Sequence, residues 1–214
     1  MRISVVHSTV YRYSQPVQLE PHLLRLRPRH DASQNLLCHT LSIAPEPGGR
    51  TGCLDQDGNA AEQVWFDKPL TSLSVRSSFE VETLRGNPFD FLLARREIFT
   101  LPFVYPEPLG GALAPYLAGG GASGPVHEFA RSVAERAGWR TLDFLTALTA
   151  TLFETCRQET RDSGLPHPPE LTLTGRAGSC RDLAVLFCAV CRGLGIPARF
   201  VSGYESGADS IEHA

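Results

Sequence analysis

The sequence has no surplus of charge of either sign. Twenty Lys and Arg residues oppose 23 Asp and Glu, giving a formal net charge of −3 and a pI near 6.2. No strong field exists to hold nucleic acid or an anionic membrane, and neither is expected as a partner. No apolar run approaches the length needed to span a bilayer. Met1 to Tyr13 alternates polar and apolar residues and lacks the continuous apolar stretch of a secretion signal, so the expected location is the cytoplasm. Internal repeats are lacking, and the one biased tract is Gly119-Gly120-Gly121-Ala122-Ser123-Gly124. No Lys-Ser or Lys-Thr follows it and no strand precedes it, which excludes a phosphate loop and leaves a hinge. Cys188 and Cys191 form a C-x-x-C with no second C-x-x-C or H-x-x-x-H to complete four ligands, so no metal and no cofactor is expected.

What is present is the balance of a folded globular protein, with 42% hydrophobic and 20% charged residues in 214. Six cysteines without an export signal read as free thiols rather than a disulfide framework. Ile3, Val5, His7, Thr9, Tyr11 and Tyr13 share one parity and predict a strand. Leu37 to Ile43, Gln63 to Phe66, Leu73 to Val75 and Phe79 to Leu84 predict further strands, set off by turn-rich stretches such as Pro45 to Gly49 and Asp57-Gly58-Asn59. Arg25, Arg27 and Arg29 alternate in a strand-like segment and predict a solvated face, while His7 and His39 line or edge the sheet.

Prolines and glycines crowd the stretch from Pro102 to Pro125, too densely for a long regular element, and mark a linker. The period then changes. Val126, Phe129, Ala130 and Val133 predict one helix, and Leu142, Leu145, Leu148, Leu152 and Phe153 a longer one. Asp162 to Gly178 reads as irregular. The expected architecture is α+β: an antiparallel β-rich domain over 1–105, a Pro/Gly-rich linker over 106–124, and a helical core over 125–214.

The segment richest in chemistry is Gly178-Ser179-Cys180-Arg181-Asp182. It opens a run in which Leu183, Leu186, Phe187, Val190 and Leu194 share a helical face, with Gly193, Gly195 and Pro197 marking the end. Ser179 is then the N-cap, Asp182 the third helical residue reaching back to it, and Cys180 a first-turn residue. The unpaired N–H groups and positive end of the dipole favour a thiolate there. The Cys180 N–H is also placed to donate to an oxyanion. A small packing residue is the ordinary alternative for a helical cysteine. Cys188 and Cys191 fall in the helix interior and read as packing. Of the seven histidines, only His213 follows the helix after a strand-like stretch, Ala198 to Tyr204, that brings the chain back alongside.

These residues, Gly178 to Ala184, Cys191 to Tyr204 and His213-Ala214, resemble the bacterial transglutaminase-like cysteine-protease family. His7 to Tyr13, His22 to Arg29 and Asp57-Gly58-Asn59 resemble the β-rich region that precedes the catalytic core in that family. The resemblance implies a papain-like core, with Cys180 attacking a carbonyl carbon and His213 taking the thiol proton. It also implies an aspartate beyond the histidine that orients the imidazole, and a tryptophan directly after the histidine. The sequence ends at Ala214, so the core is expected to be C-terminally truncated and open to pairing with another chain through exposed sheet edges. The expected function is a thiol-dependent amide hydrolase or acyl transferase working through a Cys180 thioester on a peptide or protein amide. The alternatives are a non-catalytic module holding a peptide in the same pocket, and a redox protein using Cys188 and Cys191.

Overall fold

A computed structural model describes every residue except 88, 90, 121–123, 162–163 and 205–214. The chain divides into two units, Met1–Phe91 and Leu92–Ala214.

The first unit holds strands β1 (Arg2–Val17), β2 (His22–Leu24), β3 (Gln34–Ala44), β4 (Gly49–Leu54), β5 (Ala60–Trp65) and β6 (Leu70–Thr83). They form two three-stranded antiparallel sheets, ordered β1-β6-β3 and β2-β5-β4. In β6 the odd-numbered residues Leu73, Val75, Ser77, Phe79 and Val81 are all buried, the period of two that a half-buried strand requires. Ile43, Leu73 and Val75 of the first sheet meet Val64 and the adjoining Phe66 of the second in one core. Apolar side chains from two inner faces interdigitate, as in a small sandwich.

Two expectations change here. The segments Leu73 to Val75 and Phe79 to Leu84 belong to one unbroken strand, because β6 is central and paired along both edges, so the serines between them stay in the ladder. Buried Ser77 accommodates its hydroxyl by donating to the Leu26 carbonyl at 3.1 Å. Arg25 to Arg29 follows β2 rather than forming a strand. Arg25 donates to Asp55 at 2.7 Å, and Arg29 to Asn59 and to the Asp57 carbonyl. The Asp57-Gly58-Asn59 turn is thereby tied down, with Gly58 at a φ of 74° that only glycine adopts freely.

The second unit opens with a 3-10 turn (Arg96–Phe99), followed by α1 (Leu109–Leu117), α2 (Pro125–Arg136) and α3 (Thr141–Thr155). After these come β7 (Arg157–Gln158), α4 (Pro169–Gly175), β8 (Ala177–Gly178) and α5 (Cys180–Gly193). The division falls before residue 105 because Leu101 is buried in the helical core and Phe103 packs against it. Within the stretch read as a linker, α1 forms despite Pro115. Gly110 and Ala112 already bond to the carbonyls of Pro106 and Pro108, and a proline late in a short helix removes only one further donor. The hinge residues Gly121 to Ser123 lie outside the described residues. In α3 the buried face is Thr141, Phe144, Leu148 and Leu152, whereas Leu142 and Phe153 are exposed. The buried face keeps Leu148 and Leu152 of the leucine stripe but turns toward Phe144, which supplies the larger apolar surface. The stretch read as irregular contains α4 and β8. Among the described residues no helix is long and apolar enough to cross a membrane.

Candidate active site

Helix α5 is set by its own amphipathic pattern. Leu186, Ala189, Val190, Cys191 and Leu194 are buried against Val126, Ala130, Val133 and Ala134 of α2 and Phe144, Leu148 and Leu152 of α3. The interface is apolar throughout, and leucine-sized truncations in such a core cost about 2–5 kcal/mol each. Its far end is anchored too. Arg192 donates twice to the Ala198 carbonyl and once to that of Ala118, and the Ala198 N–H donates to the Tyr116 carbonyl at 3.0 Å. A helix held along one face and at its C-terminus presents its N-terminus in a fixed place.

That N-terminus is built tightly. β7 and β8 pair in parallel, with Glu159 N–H on the Gly178 carbonyl at 2.9 Å. A Cβ at Gly178 would lie 2.8 Å from Asp182 Cβ and 3.2 Å from Thr172 Cγ2, so only glycine lets the chain pass this close. Ser179 then turns extended as the N-cap, and its N–H and hydroxyl both donate to Asp182 Oδ2, at 2.8 and 2.7 Å. Cys180 follows as the first helical residue, with its side chain exposed.

The cap role expected of Asp182 is confirmed, and the side chain does more. It is fully buried, and its Oδ1 accepts from the Arg161 guanidinium at 2.6 Å and the His167 backbone N–H at 2.7 Å. Burial pushes its pKa up, but the hydrogen bonds from His167 and Ser179 and the Arg161 charge outweigh that and bring it down to about 2. Arg181, beside Cys180, donates to the carbonyls of Gly164 and Arg161. The loop between β7 and α4 is therefore fastened to the first turn of α5. Sequence periodicity gave no sign of Arg161 or His167 here, since both belong to a Pro-rich stretch with no repeat to read.

His213 lies outside the described residues. The stretch Ala198 to Tyr204, expected to be strand-like, carries no strand assignment. A strand needs a partner ladder, and the backbone bond from Ala198 to Tyr116 is a single contact. Of the C-x-x-C pair, Cys191 is buried and its thiol is pushed up to about 12 by burial, and Cys188 is half-buried with its thiol pushed up likewise. Among the described residues no group of three His, Cys, Asp or Glu is placed to hold a metal ion.

Residues 3–82 match the family model of the bacterial transglutaminase-like N-terminal region, and residues 127–214 that of the transglutaminase-like superfamily. An uncharacterized Mycobacterium leprae protein is 28% identical over 216 residues, covering 95% of this chain and 71% of its own length. An uncharacterized Mycobacterium bovis protein is 27% identical over 221 residues, covering 95% of this chain. The chain spans 65% of that relative. A crystal structure from Cytophaga hutchinsonii, described as a "putative cysteine protease", superimposes with a TM-score of 0.63 at 19% identity. It covers 92% of this chain and 67% of its own, a likeness of fold.

Proposed function

This chain belongs with the bacterial transglutaminase-like proteins, an N-terminal region of that type preceding a transglutaminase-like core, and we propose that the core is a thiol-dependent amide hydrolase with Cys180 as nucleophile. The observation that carries the reading is the exposed thiol on the first residue of a helix whose cap is locked by a buried carboxylate. Helix start, exposure and rigid support are what an attacking sulfur requires.

In the proposed reaction His213 takes the Cys180 proton as the sulfur bonds to the substrate carbonyl carbon. The negative charge that develops on the carbonyl oxygen falls near the positive end of α5. The C–N bond then breaks, His213 returns the proton to the departing amine, and a Cys180 thioester remains. Water completes hydrolysis, releasing the acid and the free thiol. An amine in place of water would complete transfer. Hydrolysis is favoured because the Cytophaga protein of like fold is described as a "putative cysteine protease". Asp182 has no part in orienting His213 in this scheme, since both of its oxygens are engaged at the cap and by Arg161 and His167.

The test is incubation of the full chain with a peptide p-nitroanilide library, followed by intact-mass measurement after acid quench. A trapped acyl adduct on the Cys180 peptide, absent from Cys180→Ser, supports the reading. Ligand binding without adduct or turnover points instead to a non-catalytic module.

A further inference from the structure

The loop between β7 and α4 is held to the first turn of α5 by several bonds that do not involve the Arg161 side chain. The His167 N–H donates to Asp182 Oδ1 at 2.7 Å, and the Arg181 guanidinium donates to the carbonyls of Gly164 and Arg161. The cap is likewise complete without it, since Asp182 Oδ2 takes both the Ser179 N–H and the Ser179 hydroxyl. Arg161 adds one bond to Asp182 Oδ1 at 2.6 Å and one to the Leu165 carbonyl at 3.0 Å, while its Nε is buried with no partner. A guanidinium drawn three-quarters out of water with a donor unmatched is a poor source of net stability. What it alone supplies, among the described residues, is a full cation in hydrogen-bond contact with the carboxylate.

Asp182 needs that cation because of where it stands. Its pKa of about 2 makes it an anion at neutral pH, and it is fully buried. It lies two residues after Cys180 on the same helical turn, roughly 5–6 Å away at Cα. The other charged groups at hand are Arg181, whose guanidinium is turned to the loop carbonyls, and His167, whose Nδ1 is 3.8 Å from Asp182 Oδ2. In attack by Cys180 the negative charge passes from sulfur to carbonyl oxygen and stays at this turn throughout. A bare buried carboxylate would oppose that charge at both atoms, with little water between to screen it.

We propose that Arg161 is a positioning residue for the reaction at Cys180: by cancelling the charge of Asp182, it lets the first turn of α5 keep a carboxylate as its cap and still accommodate the negative charge of the reacting complex. This rests on Cys180 being the nucleophile. Arg161 acts through Asp182 rather than on the substrate.

The experiment is acetylation of the full chain by p-nitrophenyl acetate at neutral pH. It is followed by p-nitrophenolate release and by the mass of the Cys180 peptide, with circular dichroism and melting temperature recorded for every variant. The Cys180 sulfur bonds to the acetyl carbon, p-nitrophenolate leaves, the thiol proton passes to base or solvent, and an acetyl thioester remains. Arg161→Gln should slow Cys180 acetylation about tenfold, the scale of one unit charge acting across roughly 10 Å at an effective dielectric of about 20. Asp182→Asn, which leaves the Arg161 charge unopposed, should react faster than the parent even though its fold is weaker. The double variant, with neither charge, should fall between the two single ones. A purely structural role gives a different order, with both single variants slower than the parent and the double variant slowest. That order overturns the proposal, as does an Arg161→Gln rate equal to that of the parent. If Arg161→Gln does not fold, Asp182→Asn decides alone, and a rate equal to or below that of the parent overturns the proposal. A parent chain that gains no acetyl group on Cys180 overturns the nucleophile reading itself, and this proposal with it.

Discussion

The Arg161 guanidinium donates to the buried Asp182 carboxylate at 2.6 Å, joining positions 21 residues apart. This pair ties the β7–α4 loop to the turn that carries Cys180. Asp182→Ala removes the acceptor for Ser179 and the His167 N–H and leaves Arg161, only a quarter exposed, without its counter-charge. Breaking a buried pair from one side costs about 3–5 kcal/mol. Denaturant unfolding should register that loss. Asp182→Asn, which keeps an oxygen for the neutral donors, should fall between the variant and the parent.

Acid should act through the same carboxylate. Its folded pKa of about 2 lies below that of an unfolded Asp, so the unfolded chain takes up the proton more readily. The contribution is complete above roughly pH 4 and is lost as pH falls toward 2, amounting to about 2 kcal/mol. Stability curves between pH 5 and 2 should slope less steeply for Asp182→Asn than for the parent. Parallel curves would show that the acid sensitivity resides elsewhere.

The architecture was legible where period and burial coincide. β1 and β3 follow parity, α2 follows its 3.6-residue spacing, and α5 begins at Cys180 because Ser179 and Asp182 are local cap residues that need no tertiary knowledge. What escaped was set at long range. β4 is almost wholly exposed and has no apolar alternation to read, so its pairing with β5 defines it. α1 forms in a composition that argues against helix, its C-terminal end held by Arg192 and Ala198. At the site, the Cys180 position was readable, whereas the Arg161 and His167 contacts to Asp182 depend on a loop whose course only packing determines.

The face of α3 makes a direct comparison. Phe144 is fully buried and Phe153 is 87% exposed, although both lie on one helix of leucine-rich sequence. Phe144→Ala should cost about 3–5 kcal/mol, the range for deleting a buried aromatic, while Phe153→Ala should fall within about 0.5 kcal/mol of the parent. Thermal unfolding of the two variants side by side measures the difference. Equal losses would mean that Phe153 is covered by something other than this unit's core.

The cysteines provide their own controls for the nucleophile. Cys38, Cys53 and Cys180 are all exposed, so access does not separate them, but only Cys180 begins a helix. Alkylation by iodoacetamide proceeds through the thiolate, and of the three only Cys180 stands where the N–H groups of a helix start are unpaired. Peptide-resolved mass spectrometry at neutral pH should rank Cys180 first, with Cys38 and Cys53 well behind. Cys191, buried and pushed up to about 12, should label only on unfolding, and half-buried Cys188 should be slow. His213→Ala should then slow Cys180 and leave Cys38 and Cys53 unchanged, since a base acts on the one thiol it reaches. Should Cys180 label at the rate of Cys38 and Cys53 in both chains, its exposed position is only that of a helix start, and the hydrolase reading falls.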